Sequence, residues 1–353
     1  MNPRNEFASV WMTRGIALLE ENTVASLNQA VGCFDKAIEL RTALPLDANH
    51  RFRYGLAAGW MNRGDALTRL GSSAHFAEAL RSYDEALKYL CVLPLEHPPF
   101  RKRMAVAWIN RGVTLVAQGN NFTDAARSFR QSISLLEHAQ AEVIPERDQL
   151  LGCAWMNVAN SLLRLAQPKL IEARDSAEAA LKYLAAVENI DPVSAEAGLK
   201  ARHVFCQAIV RISVEESYTE SSTKASLIEA MDAVDDGLKL AREWERRDVT
   251  RFRTLASELF AFGVRAYQMC QPQFLGEFIS ESLDPQISPG ANVSGQMYVE
   301  ALGALWRELR AAQKQGFGKP NEPFPQWMQK LSELSSVEGR LNELVMNQVQ
   351  PPS

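Results

Sequence analysis

Apolar positions in this chain follow a helical rhythm that restarts at nearly regular intervals. In residues 51–90, Trp60, Gly64 and Leu67 are spaced four and three apart, so they share one face of a helix. Leu70-Gly71-Ser72-Ser73 follows, a stop signal with polar residues suited to capping the next helix. That second helix carries Phe76, Ala79, Tyr83 and Ala86 at spacings of three, four and three, and Pro94 with Pro98-Pro99 closes the unit. Alternation of bulky and small residues suits two close-packed antiparallel helices, with Gly64, Ala79 and Ala86 admitting large neighbours. The first helix of the pair is predicted to run from Arg51 to Leu70, starting well ahead of Trp60.

The same design recurs along the sequence. Trp11-Met12-Thr13-Arg14-Gly15, Trp60-Met61-Asn62-Arg63-Gly64, Trp108-Ile109-Asn110-Arg111-Gly112 and Trp155-Met156-Asn157-Val158-Ala159 are separated by 49, 48 and 47 residues. The first unit continues through Leu18, Leu27, Ala30, Phe34 and Ala37 to Pro45. The third runs through Leu115, Phe122, Ala125, Phe129 and Ser132 to Pro145, and the fourth through Leu162, Leu170, Ala173, Ala177 and Ala180 to Pro192. A fifth lacks the tryptophan but keeps Cys206, Ile209, Leu227, Ala230, Val234 and Gly237, and a weaker sixth surrounds Leu255, Leu259 and Phe262. A fixed period in this range marks stacked supersecondary units in which each repeat touches its neighbours. Residues 1–270 are therefore expected to form an all-α array of five to six helix pairs.

Past residue 271 the repeat is lost. Pro272, Asp284-Pro285 and Ser288-Pro289-Gly290 punctuate a loop region. Apolar stripes resume at Tyr298, Leu302, Leu305, Trp306 and Leu309, and again at Trp327, Leu331, Leu334, Leu341, Leu344 and Val345. Residues 271–353 are expected to form a C-terminal helical cap that hides the last apolar face of the array. The alternative is an interaction segment, a helical pair that binds a partner or forms a homodimer.

The order Trp, Gly, Leu, then aromatic, Ala, aromatic, Ala and Pro resembles the tetratricopeptide repeat (TPR) over about residues 5–270. Two departures stand out. The period is 47 to 49 residues, where the family has about 34, and the position before the glycine, usually Leu in the family, is Arg14, Arg63 and Arg111. The longer period overlaps that of armadillo and HEAT arrays, whose motifs lack this order. The resemblance implies an α-solenoid of antiparallel helix pairs, a TPR-like right-handed superhelix whose inner groove holds a peptide or protein segment.

On a helical wheel at about 100° per residue, with Trp at zero, Gly and Leu fall near it and fix a buried face. The residues two, five and nine positions after Trp fall on the opposite side, which in a stack of pairs lines the groove. Here they are Thr13, Ile16 and Glu20; Asn62, Asp65 and Arg69; Asn110, Val113 and Ala117; Asn157, Asn160 and Arg164; and in the fifth unit Val204, Gln207 and Arg211. A side-chain amide both donates and accepts, so Asn62, Asn110 and Asn157, one repeat apart, suit a clamp on the backbone of an extended peptide. The resemblance implies the same role for these three, because family members hold peptide backbone with an asparagine at the matching position. Arg69, Arg164 and Arg211 suit carboxylates of an acidic partner. Arg14, Arg63 and Arg111 lie on the flank between core and groove. There their stems can pack beside Trp while the guanidinium reaches a carboxylate such as Asp35 or Asp84 in the paired helix. Arg51-Phe52-Arg53, Arg101-Lys102-Arg103 and Arg251-Phe252-Arg253 place cations at helix starts, against the macrodipole, and invite compensation by an anion.

Composition narrows the function further. A net charge of −4 argues against bulk affinity for nucleic acid. No apolar run at the amino terminus reads as a secretory signal and none reaches membrane-span length, so no membrane partner is expected and the protein reads as cytoplasmic. The five scattered cysteines read as small apolar residues in a reducing compartment, and the five histidines show no ligand spacing, so no metal or cofactor is expected. No phosphate loop, His-Glu-x-x-His, paired CxxC or nucleophile elbow occurs. The acidic pairs Glu215-Glu216 and Asp235-Asp236 point apart on a helix rather than converging on one ion. The expectation is a non-catalytic protein–protein interaction scaffold, with a ligand-sensing regulatory module acting through a partner protein as the alternative.

Overall fold

Glycines end two of the predicted first helices: Gly71 (φ 74°) and Gly119 (φ 84°) adopt the left-handed conformation that terminates a helix without a Cβ penalty. Polar residues then start the next helix. Ser72 Oγ accepts from the His75 amide, Asn121 Oδ1 accepts from the Asp124 amide, and Thr23 and Ser26 form a reciprocal cap. The structure, a computed structural model, describes residues 2–139, 143–215 and 220–245, together with 252, 255, 256, 258–260, 262 and 263. Every regular element among the described residues is an α-helix. In order they are α1 (Pro3–Glu21), α2 (Val24–Thr42), α3 (His50–Leu70), α4 (Ser73–Leu90), α5 (Pro98–Gln118), α6 (Phe122–Leu136), α7 (Arg147–Leu163), α8 (Leu170–Leu184), α9 (Pro192–Glu215) and α10 (Glu220–Glu245). The helix expected from Arg51 to Leu70 is α3. None of these helices is long and apolar enough to cross a membrane.

The helices pack in consecutive pairs, α1 with α2, α3 with α4, α5 with α6 and α9 with α10. Each second helix also lies on the first helix of the next pair, α2 on α3, α4 on α5 and α6 on α7. This is the packing of an α-solenoid. The protein forms two compact units, residues 1–183 and residues from Leu184 onward. The change expected at residue 271 and the expected cap over 271–353 lie outside the described residues, as does Cys270.

Inside the first unit one contact repeats. Phe34, Tyr83 and Phe129 are sealed from solvent, and each ring lies over the glycine of its partner helix. A Cβ added to Gly15, Gly64 or Gly112 would sit 2.5, 2.8 or 2.6 Å from the ring, so only glycine lets the paired helices come this close. In the fourth pair both sides have changed together: Ala159 stands for the glycine, Ala177 for the aromatic, and both are fully buried. Tyr83 alone carries a hydroxyl into this position. Thr68 and Thr114, whose hydroxyls lie 2.8 Å apart, hydrogen-bond with it, and burial pushes its pKa up.

The tryptophans differ from expectation. Trp11, Trp60, Trp108 and Trp155 are half-buried rather than sealed. The residues α1 buries are Ala8, Met12, Gly15 and Leu19, so the core face is centred beyond Gly15 and the indole lies at its rim. Arginine covers the exposed side: Arg14, Arg63 and Arg111 sit 5.7, 5.9 and 5.7 Å from the indole centroids of Trp11, Trp60 and Trp108. Arg63 then pairs with Asp35 at 2.7 Å and Arg111 with Asp84 at 2.8 Å. These carboxylates were expected from the paired helix, but they come from the second helix of the preceding pair. The paired helix supplies Ser82 and Glu78 to Arg63, and Ser128 to Arg111. The arginine therefore ties three helices together. Arg41, almost wholly buried, makes a similar tie by donating to Gly55 O, Asn5 Oδ1 and Ser9 Oγ.

In the second unit, Cys206 is sealed, its thiol donates to Ala230 O at 3.4 Å, and burial pushes its pKa up to about 12. The thiol is thus held protonated, consistent with an apolar role. Nearby, His203 Nδ1 lies 3.3 Å from Glu258 Oε2 and its ring packs on Phe262. Burial holds His203 below its ordinary value, and the Glu258 charge works against that shift. A base whose folded pKa is depressed contributes stability above its unfolded value, near 6.5, and loses it as pH falls through that value. The second unit is accordingly expected to weaken between pH 7 and pH 5. His203→Gln should flatten part of that dependence, which urea midpoints at the two pH values would measure. An unchanged slope would show that His203 titrates alike in both states.

Candidate functional site

The first helices of the second and third pairs, α3 and α5, form a groove of about 490 Å³ with the connection between α6 and α7. From α3 come Tyr54, Met61, Asn62 and Asp65; from α5 come Pro98, Pro99, Lys102, Arg103, Val106 and Asn110. Val143, Ile144, Pro145 and Glu146 close one side. These residues converge because Asn62 and Asn110 occupy one register of successive repeats, two residues past the tryptophan. The long repeat adds turns ahead of each tryptophan, and those turns carry Tyr54, Lys102 and Arg103.

Three of the predicted site residues, Asn62, Asp65 and Asn110, meet in this groove. Arg69 sits at its edge, where it pairs with Asp65 at 2.9 Å and donates to Leu19 O, one of the terminal carbonyls of α1. Asn157 lies one pair further on, with its amide nitrogen donating to Cys153 O at 2.8 Å on its own helix. Asn160 is half-buried on α7. Arg164, the C-cap of α7, lies over the Phe122 ring at 4.4 Å. Arg211 is half-buried on α9 of the second unit.

Charge in the groove is unevenly matched. Lys102 pairs with Glu146 at 2.8 Å, and its hydrogen bond holds the Glu146 carboxyl below the usual range. Arg103 stacks on Tyr54 with its Cζ 4.1 Å from the ring centroid, its Nε is buried without an acceptor, and it forms no ion pair among the described residues. Burial, followed by the charge of Arg103, holds the nearby Arg41 guanidinium below its ordinary value. The groove thus offers two amides, an apolar floor of Met61 and Val106, and one cation in need of an acceptor. No family model matches this protein, and no curated protein matches it. The functional reading therefore rests on the geometry.

Sequence reasoning missed Tyr54 and the Val143–Glu146 side of the groove. Tyr54 stands six residues ahead of Trp60, outside the repeated phrase, and the α6–α7 connection has no periodicity to fix its course. The basic run Arg101-Lys102-Arg103 was the available signal. Of its three cations, Arg101 donates to Leu95 O and Lys102 pairs with Glu146, which leaves Arg103.

Proposed function

We propose that this protein is a non-catalytic interaction module of the tetratricopeptide type, a right-handed array that takes an extended peptide or protein segment into the groove between α3 and α5. The observation that carries this reading is that Asn62 and Asn110 come from successive first helices and line one groove. Two amides one repeat apart can each take a backbone carbonyl and a backbone N–H, fixing direction without reading side chains. Met61 and Val106 add apolar contact, and Arg103 favours an acidic or carbonyl-rich occupant. The clamp uses two amides rather than three, because the Asn157 nitrogen already serves its own helix. A cytoplasmic setting belongs to the same reading.

Affinity capture from the native cell supplies the partner for the test. Asn62→Ala with Asn110→Ala is expected to weaken its binding about tenfold or more, at about 1 kcal/mol for each hydrogen bond lost. Asn157→Ala should change affinity much less, and the urea midpoint should stay put in all three proteins. Equal affinity for the double variant in a calorimetric titration would remove the clamp.

A further inference from the structure

The outer side of α1 carries a stripe whose apolar counterparts on α3 and α7 are buried. Pro3, Phe7, Val10, Arg14, Ala17 and Glu21 recur at spacings of four and three, so they line one face of the helix. All six are exposed, Phe7 at 65% and Val10 at 66%. One repeat on, the residues matching Phe7, Val10 and Ala17 are Leu56, Gly59 and Ala66 of α3, and all three are buried. The α7 equivalents, Leu151, Ala154 and Ser161, are buried as well. What covers these stripes is the second helix of the preceding pair, α2 on α3 and α6 on α7. The α1 stripe is apolar apart from Arg14 and Glu21.

The covering helices also show what such a stripe selects. Arg63 receives Asp35 and Arg111 receives Asp84, each carboxylate one residue past the sealed aromatic of its helix. In the next junction the stripe has buried Val158 in place of arginine. The covering helix there has Arg130 in place of aspartate, and Arg130 pairs instead with Glu172 at 3.2 Å. Stripe and covering helix therefore change together. Arg14 lies over Trp11 as Arg63 and Arg111 lie over theirs, yet it is exposed and has no ion pair among the described residues.

We propose that this stripe docks an amphipathic helix of a partner protein that sets a carboxylate against Arg14, seated as α2 sits on α3 and α4 on α5. The surface is separate from the groove and does not depend on the peptide-binding reading.

The probe is a synthetic helix with the sequence of residues 72–91, stapled on its solvent face and verified as helical by circular dichroism. It carries Asp84, which already takes this seat on α5. Titrated into the full-length protein, it is expected to bind, and Arg14→Glu is expected to weaken it about fivefold, the scale of an accessible interfacial ion pair. An Asp84→Lys probe should regain affinity for the Arg14→Glu protein. Phe7→Ser with Val10→Ser should abolish binding at an unchanged urea midpoint, and Asn62→Ala with Asn110→Ala should leave it intact. Failure of the helical probe to bind, indifference to the charge exchange, or loss of binding in the groove variant would each overturn the proposal. Sedimentation velocity covers the other occupant: a dimer at micromolar concentration that the Phe7→Ser, Val10→Ser protein no longer forms would assign the stripe to a second copy of this protein and overturn the partner helix.

Discussion

Phe129→Ala is expected to lower the stability of the first unit by about 3–5 kcal/mol, the range for emptying a sealed phenylalanine site. The ring has no solvent exposure, and its partner Gly112 has no side chain to move into the space. Gly112→Ala in the intact protein fails for the opposite reason. Its Cβ would meet the ring at 2.6 Å, and overpacking of this kind costs about 1–3 kcal/mol. The two changes together should cost less than their sum, because the new methyl enters the vacated volume. Urea unfolding of the four proteins in a double-mutant cycle measures this coupling, and strictly additive losses would show that ring and glycine do not depend on each other.

Glu188→Ala should be comparably damaging to the second unit. Arg202 donates to both Glu188 carboxylate oxygens at 2.8 Å, and the side chains are only 12% and 9% exposed. The surroundings are shaped for the pair. A Cβ on Gly198 would run into the carboxylate, a Cβ on Gly237 would press on the Arg202 stem, and Trp244 Nε1 holds the Glu188 carbonyl at 2.9 Å. Removing one partner strands the other charge where water is scarce, a cost of about 3–5 kcal/mol. Replacing both by apolar residues of similar volume, Glu188→Leu with Arg202→Met, should recover most of it. A loss below about 1 kcal/mol for Glu188→Ala would mean that Arg202 remains solvated, as in a surface pair.

Much of this architecture was readable because it obeys short-range rules. The alternation of bulky and small residues pointed to close-packed pairs with Gly64 admitting a large neighbour, and Gly71, Ser72 and the prolines marked helix ends that depend on local backbone chemistry alone. Asp35 and Asp84 were readable as carboxylates for this row of arginines, but the paired-helix reading gave Asp35 to Arg14 and Asp84 to Arg63, where the structure gives them to Arg63 and Arg111. Which helix supplies each arginine was not readable, because the wheel of a single helix does not say whether a neighbour belongs to its own pair or to the one before. Trp60 was misplaced for a related reason. Its spacing from Gly64 puts it on the packed side, but the indole overhangs the rim and Arg63 lies across it. Of the candidate site, the register of Asn62 and Asn110 was legible. The private bond of Asn157 and the contribution of Tyr54 depend on three-dimensional neighbours that no spacing encodes.

The matched residues at successive junctions have a consequence for the protein as a whole. Asp35 faces Arg63 and Asp84 faces Arg111, whereas Arg130 turns away from Val158. Joining α4 directly to α7 would press Asp84 onto a sealed valine, while joining α2 to α5 would bring Asp35 to an arginine that already accepts such a partner. Two junctions thus share one code and the third uses another, so α6 and α7 are matched to each other by their surfaces as well as by the polypeptide.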